Sequence, residues 1–179
     1  MKKREIRRDI LNTSARLFYK QGYRNTGINE IIEEAGIAKT TLYEYFRSKE
    51  DLMLVYIEEY GMETIQAMIR AIENADTPKG KMIGVFEYLE DQFRQNQCYG
   101  CSFLSMVYEI PDEPAEIKRK IKFQKDIIRG LFTEILRPIN KENIADEIYT
   151  LLEGAIIANK VHDDIWPISA AKNSIKKLL

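Results

Sequence analysis

Apolar residues recur every three or four positions along almost the whole 179-residue chain, which is the period of an amphipathic α-helix. Few runs alternate apolar and polar residues with the period of two that a strand requires. Glycine and proline punctuate this helical pattern. The sequence therefore predicts an all-α fold with about nine helices in total. We expect these helices at about residues 4–21, 28–35, 39–46, 49–74, 78–95, 102–108, 115–136, 141–163 and 167–179.

Two glycines, Gly22 and Gly36, separate the first three predicted helices. We expect Gly22 to end the first helix in a left-handed conformation, which glycine adopts without strain. Gly36 is expected to make a tight turn between two helices of about eight residues each, a helix-turn-helix. In such a motif the second helix can lie in the major groove of DNA. Its predicted exposed face carries side chains suited to phosphates and base edges, namely Lys39, Thr40, Thr41, Tyr43, Glu44 and Arg47.

The fourth helix has a start signal of its own. Ser48 is expected to cap it, with Asp51 three residues later in a weak capping box. This long helix would follow the helix-turn-helix directly.

The net charge of −1 conceals an asymmetry along the chain. Residues 1–50 contain 11 Lys and Arg against 7 Asp and Glu, a balance of +4, whereas residues 51–179 contain 16 against 21, a balance of −5. A basic N-terminal part joined to an acidic body suggests that the first part binds a polyanion. A solvated basic helix would give the same composition, so charge alone leaves both readings open.

The segment from Gly22 to Leu52 closely resembles the TetR (tetracycline-repressor-like) family of regulators. The matching residues are Gly22, Tyr23, Thr26, Ile31, Ala35, Gly36, Ile37, Lys39, Thr41, Leu42, Tyr43, Tyr45, Phe46, Ser48, Lys49, Glu50, Asp51 and Leu52. The resemblance implies a DNA-binding transcription regulator. It implies a helix-turn-helix domain at residues 1–48 and a helical effector-binding and dimerisation domain at residues 49–179.

The resemblance also implies which residues contact DNA. A phosphate would be met at the start of the second helix, where the helix dipole favours an anion. The first turn of the third helix would reach base edges, and two tyrosines and a lysine would hold phosphates. The phosphate contact at the start of the second helix is Thr26, Gly27 and Ile28. The residues that would reach base edges are Lys39, Thr40 and Thr41, and those that would hold phosphates are Tyr43, Tyr45 and Lys49. The family commonly has Ser or Thr in place of Gly27 and glycine in place of Thr40, and the two tyrosines could instead pack in the core.

For the remaining helices the resemblance implies an architecture more than a chemistry. A ligand pocket is implied within the fourth to eighth helices, and ligand binding would tilt the fourth helix and change the spacing of two recognition helices. Aromatic and sulfur side chains of this part could line an adaptable apolar pocket or form plain core. The candidate pocket residues are Tyr60, Phe86, Tyr88, Phe93, Cys101, Phe103, Met106 and Phe123.

The last two helices resemble the dimer interface of the family. Small residues lie on one side of the eighth helix and apolar residues on one face of the ninth, and two copies would build a four-helix bundle. A dimer implies two half-sites and therefore a near-palindromic operator. The candidate interface residues are Gly154, Ala155, Ala158, Ile168, Ala171, Ile175 and Leu178.

The chain has two cysteines, Cys98 and Cys101, and one histidine, His162. A zinc site requires four nitrogen or sulfur ligands, so we expect no metal and no cofactor. The Cys-x-x-Cys spacing is that of a redox pair, which makes a thiol-switched DNA-binding protein the alternative function. A cysteine at the start of a short helix could equally be a small apolar filler.

The sequence lacks the usual marks of an enzyme or a membrane protein. The histidine has no nucleophile motif near it, and no Gly-x-x-x-x-Gly-Lys phosphate loop occurs. No apolar run approaches the roughly 18 residues that span a bilayer, and the basic N-terminus does not resemble a signal peptide. We therefore expect a non-enzymatic, cytoplasmic protein without a membrane partner. The expected function is that of a homodimeric repressor, released from a near-palindromic DNA operator by a small apolar effector of unknown identity.

Overall fold

The computed structural model describes residues 2–96, 101–109 and 115–179. Within these ranges the chain forms nine α-helices and no strand, which confirms the predicted fold class. The helices are α1 (Lys2–Gln21), α2 (Ile28–Glu34), α3 (Lys39–Tyr45), α4 (Lys49–Ile72), α5 (Pro78–Asn96), α6 (Ser102–Glu109), α7 (Ala115–Leu136), α8 (Ala145–His162) and α9 (Trp166–Leu178). Two short 3₁₀ helices, Arg137–Ile139 and Glu142–Ile144, lie between α7 and α8.

The eighth helix begins at Ala145, four residues later than the sequence predicts. Pro138 lies in the first of the two 3₁₀ turns, and Asn140 follows it with a φ of +53°. Asparagine tolerates this left-handed conformation better than most residues, and it reverses the direction of the chain. The residues from 141 to 144 are therefore used to complete the turn.

One compact unit of the chain comprises Met1–Gly61 and Ser102–Lys122. The helices α1, α2 and α3 pack there with the start of α4, α6 and the first part of α7 around a shared core. Edge-to-face contacts join three of these elements, because the ring of Tyr56 lies 5.6 Å from both Phe18 and Phe103. The most deeply buried residues of this core are Ile10, Leu11, Ile31, Leu42, Phe46, Leu52, Met53, Ile57 and Met106.

The other compact unit comprises Met62–Cys101 and Phe123–Leu179. Its ninth helix packs against α5 and α8, and the three helices share one apolar core. One buried ion pair lies among these apolar residues: Glu90 on α5, only 5% exposed, accepts hydrogen bonds from Ser169 and Lys172 on α9. The most deeply buried apolar residues are Met82, Val85, Phe86, Phe132, Leu136, Ile148 and Ile175.

Candidate nucleic-acid interface

The turn between α1 and α2 depends on a glycine, as the sequence predicts. Gly22 has a φ of +86°, and its N–H donates to the carbonyl oxygen of Phe18 at 3.0 Å. Thr26 is fully buried, and its hydroxyl donates to the carbonyl oxygen of Gly22 at 2.7 Å. The Thr26 side chain therefore holds this turn in shape, immediately before the backbone of Gly27 and Ile28 at the start of α2.

The turn between α2 and α3 has the hydrogen bonds of a Schellman motif. Gly36 adopts a φ of +64°, and the N–H of Ile37 donates back to the carbonyl oxygen of Ile32 at 3.2 Å. The chain then extends at Ala38 and α3 starts at Lys39. Both turns therefore contain a glycine in the left-handed conformation, and the second turn sets the direction of α3 relative to α2.

The third helix has one buried face and one exposed face. Leu42 and Phe46 are 0% and 1% exposed and anchor the helix in the first core. The other face includes Tyr43, whose exposed fraction is 43%, and the exposed Glu44. At the start of the helix Lys39 and Thr40 are exposed and Thr41 is partly buried, while Tyr45 is partly buried and packs against the first core. The helix is thus held in the core by its buried face and exposes an ammonium, a hydroxyl and a phenol group to solvent.

The start of α4 is capped as expected, with one difference. The N–H of Asp51 donates to Oγ of Ser48 at 3.0 Å, which confirms Ser48 as the cap. The Asp51 carboxylate accepts from the N–H of Arg47 at 2.8 Å, one residue before the cap. These two bonds fix the connection between α3 and α4.

The side chain of Lys49 lies over an aromatic ring of the first turn. Its Nζ is 4.1 Å from the ring centroid of Tyr23, which is a cation–π contact. Burial lowers the pKa of Lys49, although the charge of Glu109 opposes this effect. Burial raises the pKa of Tyr23, and the charge of Glu50 raises it further. The ring therefore positions the ammonium beside the α1–α2 turn.

Glu109 was not predicted as a functional residue, because its contact joins positions 85 residues apart. The N–H of Arg24 donates to Oε2 of Glu109 at 3.0 Å. The same carboxylate packs on Gly22 so closely that a Cβ at this position would displace it. No local sequence pattern could have indicated this contact.

Three candidate pocket residues belong to the first unit. Met106 is 1% exposed in its core, and Phe103 packs against the same core. The hydroxyl of Tyr60 donates to Oδ1 of Asn12 at 2.7 Å. These side chains therefore have packing or hydrogen-bonding partners in the protein itself.

Five candidate pocket residues belong to the second unit. Phe86 is fully buried, and Tyr88 and Phe93 are partly buried against the same core. Burial raises the pKa of Tyr88, partly offset by the charge of Arg70. Phe123, by contrast, is 63% exposed. The fifth residue, Cys101, lies in a polar cluster.

Cys101 lies beside a nearly buried ion pair. Nζ of Lys125 is 3.4 Å from the sulfur of Cys101 and 2.7 Å from Oε1 of Glu153. Burial lowers the pKa of Lys125, but its electrostatic contacts and hydrogen bonds with Cys101 and Glu153 outweigh burial and raise it. Tyr149 lies in the same cluster, and burial and Glu153 raise its pKa. The predicted partner of the thiol, Cys98, lies outside the described residues.

The candidate dimer residues are divided between core and surface. On α9, Ile168, Ala171 and Ile175 are at most 6% exposed and pack in the core of the second unit. Leu178 is 41% exposed. On α8, Ala155 is buried, Ala158 is partly buried and Gly154 is exposed.

A different set of apolar side chains is exposed at the α8–α9 corner. Ile157 and Val161 on α8 are 45% and 73% exposed and share a face with Gly154. Trp166, at the start of α9, is 51% exposed and lies 5.1 Å from the ring of His162. The exposed stripe, defined as Gly154, Ile157, Val161 and Trp166, has no covering element among the described residues.

Across the residues that the structure describes, no helix combines the length and apolar character needed to cross a membrane. The same residues contain no group of three or more His, Cys, Asp or Glu placed to hold a metal ion.

Comparisons with known proteins agree with the helix-turn-helix. A family model described as bacterial regulatory proteins, tetR family, matches residues 10–56. The fatty acid metabolism regulator protein of Bacillus subtilis (strain 168) is 24% identical over 182 residues, covering 95% of this chain and 91% of that protein. An HTH-type transcriptional regulator of Lactococcus lactis subsp. lactis is 25% identical over 171 residues, covering 90% of this chain and 87% of that protein.

The similarity extends to three-dimensional structure. A crystal structure of a TetR-family transcriptional regulator from Streptomyces coelicolor superposes with a TM-score of 0.90 at 25% identity. The match covers 97% of this chain and 93% of that protein. Similarity therefore includes both the helix-turn-helix and the helices that follow it.

Proposed function

Because the chain belongs to the TetR family of DNA-binding transcription regulators, we propose that it is a homodimeric, cytoplasmic repressor of a near-palindromic operator. A small, mostly apolar effector releases it from the DNA. Residues 1–48 are the DNA-contacting domain, to which Lys49 at the start of α4 adds a contact, and residues 49–179 bind the effector and the second subunit.

The two-faced α3 is the observation that carries this proposal. Leu42 and Phe46 anchor the helix, so Lys39, Thr40 and Tyr43 are held on a rigid base outside the core. A helix presented in this way fits a major groove about 12 Å wide. Lysine, threonine and tyrosine supply donors to phosphates and base edges.

The flanking turns supply the remaining contacts. Lys49, positioned over the Tyr23 ring, meets one phosphate, and the backbone at Gly27 and Ile28 meets another. Thr26 acts through the turn, because its buried hydroxyl already donates to Gly22. Thr41 and Tyr45 complete the proposed set, with Tyr45 the more deeply packed of the two tyrosines on α3.

A second copy of the chain covers the exposed stripe in this proposal. Ile157, Val161 and Trp166 carry its large apolar side chains, and burying them against their counterparts removes apolar surface from water. The candidate residues Ile168, Ala171 and Ile175 lie beneath, in the core that supports α9. Gly154 permits close approach of two α8 helices because it has no side chain.

The proposed effector site lies in the second unit. Tyr88 and Phe93, which are partly buried, offer aromatic surface there, and the fully buried Phe86 belongs to the same core. On α7, Oε1 of Gln124 is buried without a hydrogen-bond partner, and a buried acceptor of this kind is costly unless something donates to it. An effector with an apolar body and one donor group would suit both features.

A thiol switch is the second candidate for the signal. The contact between the Lys125 ammonium and the Cys101 sulfur, at 3.4 Å, favours it, since it places this partly exposed thiol in a polar cluster and not in apolar core. In that case oxidation at Cys101 would replace the effector as the event that releases DNA.

Binding to DNA from upstream of its own gene, followed by fluorescence anisotropy across a salt series, tests the main proposal. We expect saturable binding that weakens by about tenfold or more in a Tyr43→Ala/Lys49→Ala variant, with a shallower salt dependence. The matched control is Tyr108→Ala/Lys118→Ala, an exposed tyrosine and an exposed lysine outside α2–α4. Equal binding to every sequence, or equal losses in both variants, would contradict the proposed interface.

A further inference from the structure

The end of α6 makes a direct contact with the helix-turn-helix. Glu109, the last residue of α6, accepts a hydrogen bond from the N–H of Arg24 at 3.0 Å. Its carboxylate also packs on Gly22, where a Cβ would collide with it. Gly22 is favoured here by its φ of +86°, and its missing side chain leaves room for the Glu109 carboxylate.

The same turn carries the proposed phosphate ligand of α4. Nζ of Lys49 lies over the ring of Tyr23, which stands between Gly22 and Arg24 in sequence. Glu109 contacts the residues on both sides of Tyr23, so its carboxylate and the Lys49 ammonium meet the same turn. In keeping with this placement, the charge of Glu109 opposes the lowering of the Lys49 pKa by burial. Residues 22–24 therefore contact an anion from α6 and a cation from α4.

We propose that Glu109 is a positioning residue for DNA binding, which fixes the α1–α2 turn and also weakens the pull of Lys49 on the phosphate. The inference rests on the proposed function, because it takes Lys49 as a phosphate contact. It adds a residue of α6, outside the predicted DNA-binding domain, that sets how tightly the helix-turn-helix binds.

The two actions of Glu109 can be separated by substitution. Glu109→Gln keeps an oxygen that accepts the Arg24 N–H but removes the negative charge. Glu109→Ala removes both the charge and the acceptor. We therefore expect the glutamine variant to bind DNA more tightly than the unsubstituted protein, and the alanine variant to bind less tightly than the glutamine variant.

The size of the first effect follows from the exposure of the groups. A partly exposed pair of charges changes an equilibrium by about twofold to fivefold. Freeing Lys49 for the phosphate also adds up to one released counterion. The slope of log affinity against log salt should therefore steepen by at most about 0.9 in Glu109→Gln.

The experiment is a salt series of anisotropy titrations with a short fluorescein-labelled duplex from upstream of the gene. Glu116→Gln, an exposed glutamate in the first turn of α7, is the control with the same change in net charge. Thermal unfolding of each variant confirms that it is folded. The amide proton of Arg24, followed by NMR, should keep its hydrogen-bonded shift in Glu109→Gln and lose it in Glu109→Ala.

A double-mutant cycle separates a charge effect through Lys49 from a general structural role. In a Lys49→Gln background, Glu109→Gln should no longer tighten binding or steepen the salt dependence. The inference is overturned if Glu109→Gln behaves like the Glu116→Gln control, or if its effect persists without Lys49. If the unsubstituted protein binds the duplex but Glu109→Gln has no effect of its own, the inference alone fails. If the unsubstituted protein binds no duplex, the proposed function fails together with the inference.

Discussion

The ion pair between α5 and α9 allows a quantitative prediction for Lys172→Met. Oε2 of Glu90 accepts from Nζ of Lys172 at 2.6 Å, and Oε1 accepts from Oγ of Ser169 at 2.8 Å. The side chains of Glu90 and Lys172 are 7% and 15% exposed. Removing Lys172 leaves a carboxylate in the apolar core with the Ser169 hydroxyl and the charge of Arg94 to compensate it.

Breaking one partner of a buried ion pair costs about 3–5 kcal/mol. Because Lys172 retains some exposure and Ser169 still donates, we expect Lys172→Met to lower the free energy of unfolding by about 2–4 kcal/mol at neutral pH. The double variant Glu90→Gln/Lys172→Met removes the stranded charge together with its partner. It should therefore recover a large part of this loss.

The loss should depend on pH in a defined direction. Burial raises the pKa of Glu90, but the hydrogen bonds from Lys172 and Ser169 and the charge of Lys172 outweigh it, so the pKa lies below its ordinary value of 4.5. A carboxyl with a lowered pKa stabilises the fold above that ordinary value, and the contribution disappears as the pH falls through the folded pKa. Without Lys172 the carboxyl gains a proton more readily. The deficit of Lys172→Met should therefore shrink on acidification.

Urea unfolding followed by circular dichroism measures this deficit. Titrations of the unsubstituted protein, Lys172→Met and the double variant are compared at one protein concentration between neutral pH and pH about 4, since association alters apparent stability. A deficit below about 0.5 kcal/mol would show that the pair is solvated despite its burial. A deficit that stays constant with pH would show that the lost stability comes from packing of the Lys172 side chain.

Two further predictions concern the dimer and the thiol. Ile157→Asp/Val161→Asp should shift the protein from the proposed dimer to a monomer in analytical ultracentrifugation. The control Ile139→Asp replaces an exposed isoleucine on the 3₁₀ turn after α7 and should leave the dimer intact. A dimer that survives in the Ile157→Asp/Val161→Asp variant would place the interface elsewhere. If oxidation is the signal, Cys101→Ser should abolish release of DNA by hydrogen peroxide, and unchanged release in that variant would exclude Cys101 as the sensor.

The sequence was informative where structure depends on neighbouring residues. The four-residue spacing of Leu42 and Phe46 determines which face of α3 is buried, so its exposed residues could be predicted. Gly22 and Ser48 were predictable for the same reason, because a left-handed turn and a helix cap have strong residue preferences. The start of α8 at Ala145 could not be predicted in this way, since asparagine at position 140 does not by itself indicate a left-handed turn.

Properties that depend on distant partners could not be predicted in this way. The apolar period of α9 shows that Ile168, Ala171 and Ile175 share a face, but not whether α5 and α8 or a second subunit covers it. The structure places that face inside the chain and leaves Val161 exposed. Glu109 carries no local signal because its role depends on a fold that brings α6 to the first turn.

Trp166 also provides an optical probe, because it is the only tryptophan of the chain. About half of its surface is open to solvent, and it lies at the stripe that we assign to subunit contact. Its emission would therefore move to shorter wavelength as subunits associate, since burial removes water from the indole. The unmodified protein could thus report its own assembly at low concentration, without a label near the DNA-binding surface.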